Sequence, residues 1–170
     1  HTVTLDDLGV AAGANVNTIN FLAGDNTLNL AGVIAGTNMT LDAAGSATND
    51  TLAINVTDTG ADAINAIDIV TTDFETVTID TSGSGAAVAQ TLGAVTMSAS
   101  LNGTTTLNVK GDNAVDTSGI ITAATIDFSG VTDTDGVTMG AAAASVTTIT
   151  GSAGNDTLVG DASSTIHGGA

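Results

Sequence analysis

One phrase recurs along this chain: Thr or Asn alternates with an aliphatic residue over a short run, which Gly, Asp or Asn then closes. It spans Asn17 to Leu22, Asn26 to Leu30, Asn38 to Asp42, Asp50 to Val56, Glu75 to Asp80, Thr105 to Val109 and Ala124 to Phe128. Shorter copies run from Val137 to Met139, Val146 to Thr150, Asp156 to Val159 and Ser164 to His167. A period of two built on Thr, Val and Ile is the pattern of half-buried strands. The closing residues are those that favour tight turns.

Equivalent apolar positions, such as Ile19 and Leu28 or Leu107 and Ile126, recur about every 9 to 12 residues or at about twice that spacing, which suits a sandwich or a solenoid. The strands are short and alike, and Thr and Asn return at matching places, as stacked side-chain ladders require. The sequence therefore predicts an all-β fold, a parallel β-helix or β-roll-like solenoid, with an Ig-like β-sandwich as the alternative. Composition agrees. Hydrophobic residues make up 42% of the chain but aromatics only 2%, so Ala, Val, Ile and Leu must fill thin, uniform layers. A mean hydropathy of +0.37 sets the chain apart from disordered sequences.

The alternation fails from Gly60 to Val70. Ile64 and Ile67, after a cap at Asp58 or Thr59, fit two helical turns; a wide loop between strands fits equally. Ala141 to Ala144 is too short to nucleate a helix and reads as a tight corner that only small side chains fit.

Eighteen acidic residues face one basic residue, Lys110, for a formal charge of −17 and a pI near 4.1. Nucleic-acid affinity is supplied by Lys and Arg, so no nucleic-acid partner is expected. The lack of Arg removes the bidentate fork that grips phosphates and carboxylates, which argues against a cofactor enzyme. No run approaches the ~18 apolar residues of a membrane helix. Three Phe without Trp or Tyr do not build the aromatic girdles of an outer-membrane barrel, so no membrane insertion is expected. Without cysteine there is no disulfide framework to read. The opening His1-Thr2-Val3 has neither an initiator Met nor a signal peptide, so a processed chain or a piece of a longer one is expected.

The most specific motif lies at the other end. Gly151-Ser152-Ala153-Gly154-Asn155-Asp156-Thr157-Leu158-Val159 resembles the nonapeptide G-G-x-G-x-D-x-U-x of the repeats-in-toxin (RTX) family, whose parallel β-roll binds calcium. Gly151, Gly154, Asp156 and Leu158 match, and Ser152 stands in place of the second glycine. Glycines let such a turn fold tightly, Asp offers a hard oxygen to calcium, and Leu turns into the roll. The next unit, Gly160 to His167, is one residue short and has Ser164 where Asp belongs. Gly168-Gly169-Ala170 looks like the opening of a third unit. In that family an ion sits between successive turns, so one good repeat is half a site. The resemblance implies a calcium site drawing on Gly151, Gly154, Asn155, Asp156 and Asp161. It divides the chain into a Thr/Ala/Gly-rich strand body over residues 1–150 and the start of an RTX-like region over 151–170.

Asp73-Phe74-Glu75-Thr76-Val77-Thr78-Ile79-Asp80 resembles the F-E-T-V-x-I strand phrase in the β-rich bodies of bacterial surface-layer (S-layer) proteins and large secreted adhesins. Those proteins share this composition and commonly end in calcium-binding repeats that serve type I secretion. The two resemblances cover short stretches by motif and the rest by composition alone.

Charge makes a separate argument for a cation. Carboxylates with almost no internal counter-charge repel one another, and packing such subunits side by side intensifies the repulsion unless cations intervene. Calcium, held by several oxygens, cancels two charges per ion. Asp133 with Asp135, Asp6 with Asp7, and Asp112 with Asp116 are candidate clusters, each also readable as a solvated turn.

Other leads carry less. Gly83-Ser84-Gly85 lacks the third glycine of the dinucleotide fingerprint. Asn-x-Thr sequons start at Asn38, Asn49, Asn55, Asn102 and Asn155, as a Thr-rich chain generates by chance. His1 and His167 stand at opposite ends, and no serine motif supports a triad on His167. A polysaccharide-degrading β-helix enzyme would use Asp133 and Asp135 as acid and base, yet aromatic platforms and basic groups for a sugar are scarce. No catalytic residue is assigned and no enzymatic activity is expected. The sequence reads as an extracellular structural protein of the bacterial cell surface, which assembles with itself into a lattice or filament with calcium. An adhesin or biofilm-matrix module that binds a glycan or cell surface is the alternative, and the β-helix enzyme a minority one.

Overall fold

The computed structural model of the chain describes residues 1–5, 15–31, 37–45, 48–57, 67–82, 89–99 and 103–169. Its strands, in chain order, are β1 (Thr2–Leu5), β2 (Asn15–Phe21), β3 (Asp25–Leu30), β4 (Thr37–Ala43), β5 (Thr51–Val56), β6 (Ile69–Thr72), β7 (Thr76–Asp80), β8 (Gln90–Leu92), β9 (Val95–Ser98), β10 (Thr106–Gly111), β11 (Val115–Thr117), β12 (Ile121–Thr122), β13 (Thr125–Val131), β14 (Val137–Met139), β15 (Thr148–Thr150), β16 (Thr157–Leu158) and β17 (Thr165–His167). Among the described residues every strand pairing is parallel.

Three sheets result: β1-β3-β5-β7-β10-β13-β15-β17, β12-β9-β6-β4-β2, and β16-β14-β11-β8. Strands adjacent in sequence lie on different sheets, and each pairs with a strand one coil away. This is a parallel β-helix-like solenoid. The two spacings in the sequence now separate: Ile19 and Leu28 are on different sides of a coil, whereas Leu107 and Ile126 are register partners in successive coils. The coil repeat is 25 to 26 residues in the first coils, 30 from β7 to β10 and 19 from β10 to β13. That variation is why the repeat looks ragged along the chain.

Inward residues stack in columns. Leu28, Ile54, Ile79 and Val109 form one; Leu52, Val77, Leu107, Ile126 and Ile149 form the next, and all are buried. Each such side chain contributes about 1.5–3 kcal/mol over its exposed state. Phe21 and Phe74 add an edge-to-face contact, with centroids 5.9 Å apart. The outward face of the eight-stranded sheet carries a matching row, Thr51, Thr76, Thr106, Thr125, Thr148 and Thr165, one per coil. Beside it Asn55 Nδ2 donates to Asn29 Oδ1 at 2.9 Å. Polar rows predicted from the repeated Thr and Asn are thus a property of register.

Asp58, Thr59 and Ile64, on which the helical reading rested, lie outside the described residues. Beyond them Ile67 is buried and Ile69–Thr72 form β6. Ala142 bridges to Ile121, and Val146 N–H closes a turn on the Ala143 carbonyl, which makes the predicted corner. Residues 151–169 continue the same solenoid, with β16 and β17 extending two of its sheets. No helix among the described residues is long and apolar enough to cross a membrane.

Candidate metal centre

The C-terminal glycine-rich turn packs directly on the turn one coil before it. Asp133 Oδ1 accepts from Asp135 N–H at 2.8 Å, and Gly136 N–H returns to the Asp133 carbonyl. Gly136 completes this turn with φ +71°, a conformation that glycine favours. On the next coil, Asn155 donates to the Thr134 carbonyl through both its backbone N–H (3.0 Å) and its side-chain amide (3.1 Å). A Cβ on Gly154 would stand 2.3 Å from the Asp133 carbonyl oxygen. Glycine is needed there because two backbones touch.

Asp156 joins the two coils. Its Oδ1 accepts from Val137 N–H at 2.9 Å and from the Ser152 hydroxyl; its Oδ2 accepts from Ser152 N–H at 2.8 Å. A Cβ on Gly151 would stand 2.3 Å from Oδ2. Three of roughly four acceptor directions on this carboxylate are therefore filled by the protein. Ser152, the departure from the RTX nonapeptide, supplies two of the three donors and is itself buried.

The fit to calcium at this turn is consequently narrow. Asp133, Asp135, Gly154, Asn155 and Asp156 lie on adjoining turns. Asp161 sits in a separate turn between β16 and β17, where its carboxylate accepts from Ser163 N–H and hydroxyl. No group of three or more His, Cys, Asp or Glu able to hold a metal occurs among the described residues. As arranged, Asp156 acts first as a hydrogen-bonded tie between coils, with one acceptor direction left for an ion. Of the other acidic pairs, Asp6 and Asp7 lie outside the described residues.

No family model, curated protein or solved structure matches this chain.

A second acidic cluster, missed in the sequence, lies inside the solenoid. Where the chain turns from the five-stranded into the eight-stranded sheet, Gly24, Asp50, Glu75 and Thr105 occupy the same place in successive coils. Asp50 Oδ1 accepts from Gly24 N–H, and Glu75 Oε2 accepts from Asp50 N–H at 2.8 Å. Asn26 Nδ2 donates to the carbonyls of Leu22 and Gly24, at 2.8 and 2.9 Å. Asn26, Asp50 and Glu75 are 3%, 0% and 7% exposed. The signal was strand parity: counting back two from the inward Leu52 and Val77 lands on Asp50 and Glu75.

Proposed function

We propose that this chain is part of an extracellular structural protein of the S-layer or RTX-type surface class, built to stack with itself and held together with calcium. One observation carries the reading. The buried aliphatic column of the eight-stranded sheet ends at β17 on Ile166, which is 44% exposed, and β17 has all three residues exposed. At the other end β1 pairs only with β3 among the described residues, and its Val3 and Leu5 are half-buried. Sheet edges that stay free are normally blunted by Lys, Pro or bulges. This chain has no Pro and its one Lys lies inside the sheet. A further coil added at either face extends the columns without a new kind of contact.

Calcium enters the proposal because a chain of charge −17 has almost no internal counter-charge, and packing copies side by side adds to the repulsion. Cations between copies relieve that repulsion. The reading assigns no catalysis: Asp133 Oδ1 already holds Asp135 N–H within a turn. Electron microscopy of the purified chain with calcium and with a chelator tests it. Ordered filaments or sheets that disperse on chelation are expected; particles that stay single under both conditions count against it.

A further inference from the structure

We propose that Asn26, Asp50 and Glu75 form a buried site for a divalent cation, with calcium the metal that fits, at the corner between the five-stranded and eight-stranded sheets. The site is separate from the C-terminal turn and goes beyond the assembly reading, since it holds for this fold whatever the protein does.

Each of the three side chains uses one end to bind the backbone and leaves an oxygen over. Asn26 Oδ1, Asp50 Oδ2 and Glu75 Oε1 are buried and have no hydrogen-bond partner among the described residues. A buried acceptor without a partner is costly, and a buried carboxylate without a counter-charge far more so. The three belong together. Glu75 reaches Asp50 N–H, Asp50 reaches Gly24 N–H, and Asn26 reaches the Gly24 carbonyl, so all converge on one corner of consecutive coils. Gly103 stands against Glu75: a Cβ there would lie 2.9 Å from Oε1, so the next coil approaches this oxygen with hydrogen only.

No lysine or arginine supplies the counter-charge. Lys110 is the chain's only Lys or Arg and is bound to Asp80. A proton shared by the two carboxyls partners two of the three oxygens, leaves one negative charge buried and does nothing for Asn26 Oδ1. A divalent cation ligates all three oxygens and cancels both charges. Calcium accepts mixed carboxylate and amide oxygens in flexible geometry, whereas magnesium demands a near-ideal octahedron and keeps its waters.

The test uses the whole purified chain, stripped with EDTA and titrated with calcium chloride, beside the variants Asp50→Asn, Glu75→Gln and Asp127→Asn, the last outside both candidate sites. Calcium should raise the melting temperature of the wild type and of Asp127→Asn. In Asp50→Asn and Glu75→Gln the shift should be lost and calcium binding weakened by more than about tenfold. In EDTA those two variants should melt at or above the wild type, because a repelling charge is gone. If they keep the full calcium response, or if the wild type binds no calcium and is instead stabilised on acidification, the proposal is overturned. Should neither variant fold, the wild type decides: calcium should move the side-chain carboxyl resonances of Asp50 and Glu75, and unmoved resonances overturn the site. A wild type that binds calcium here yet stays monomeric removes the assembly reading and leaves this site intact.

Discussion

Lys110 Nζ lies 2.8 Å from Asp80 Oδ2, joining register partners in successive coils. Burial disfavours the ionised form of Asp80. Hydrogen bonds from Lys110 and from the Ser82 hydroxyl and N–H, with the Lys110 charge, outweigh it and hold the carboxyl below its ordinary 3.8. A carboxyl depressed in the folded state adds stability above its unfolded value. That contribution fades as pH falls below about 4 and through the folded value. Lys110→Met should move the Asp80 titration upward in a carboxyl NMR series and cost under about 1 kcal/mol at neutral pH, since the lysine is half exposed. An unchanged Asp80 titration contradicts this account of the pair.

Phe74 is fully buried against Phe21, while Val70 on the preceding strand is partly exposed. Phe74→Ala should lower unfolding free energy by about 3–5 kcal/mol in a denaturant titration. Val70→Thr should change it by no more than about 0.5 kcal/mol. Comparable losses for the two would mean that the inward and outward faces of this corner are misassigned.

At the C-terminal turn, glycine is required where backbones touch. Gly154→Ala and Gly136→Ala should each destabilise the last coils by about 1–3 kcal/mol. Gly140→Ala, whose new Cβ meets nothing nearer than 3.7 Å, should be close to neutral. Hydrogen exchange should localise the loss to β14–β17 and spare β3–β7, because stability in a solenoid is carried between neighbouring coils. Exchange that rises equally everywhere counts against it.

Ser152→Gly separates the two roles of Asp156. Removing the hydroxyl should cost about 1 kcal/mol without calcium, while the acceptor direction it frees on Asp156 Oδ1 should strengthen calcium binding at this turn in calorimetry. If calcium affinity does not rise, Ser152 is not what limits the site.

Much of the fold was legible because a period of two survives in single strands. Thr76 to Asp80 reads as half-buried, and β7 alternates in that way; Leu107 and Ile126 sit one coil apart, as their spacing allowed. The four-stranded sheet was harder to see. Its strands β8, β11, β14 and β16 are two or three residues long, shorter than any window in which alternation registers. The C-terminal turn was found from its glycines, but the use of Ser152 to satisfy Asp156 depends on a fold-back that spacing does not reveal. Asp50 and Glu75 open two of the alternating runs, and their inward parity is present in the letters; that their side chains turn back onto the neighbouring coil's backbone depends on a register that spacing alone does not reveal.

Sedimentation velocity on the wild type and on Ile166→Lys, across a calcium titration, tests the central claim most directly. Lys on β17 places a charge where the buried column opens, and blunts the edge without touching the coils beneath. The wild type should form larger species as calcium and protein concentration rise, while Ile166→Lys should stay monomeric with an unchanged melting temperature. A wild type that sediments as a monomer at every calcium concentration, or a variant that assembles as readily, would contradict stacking through the solenoid ends.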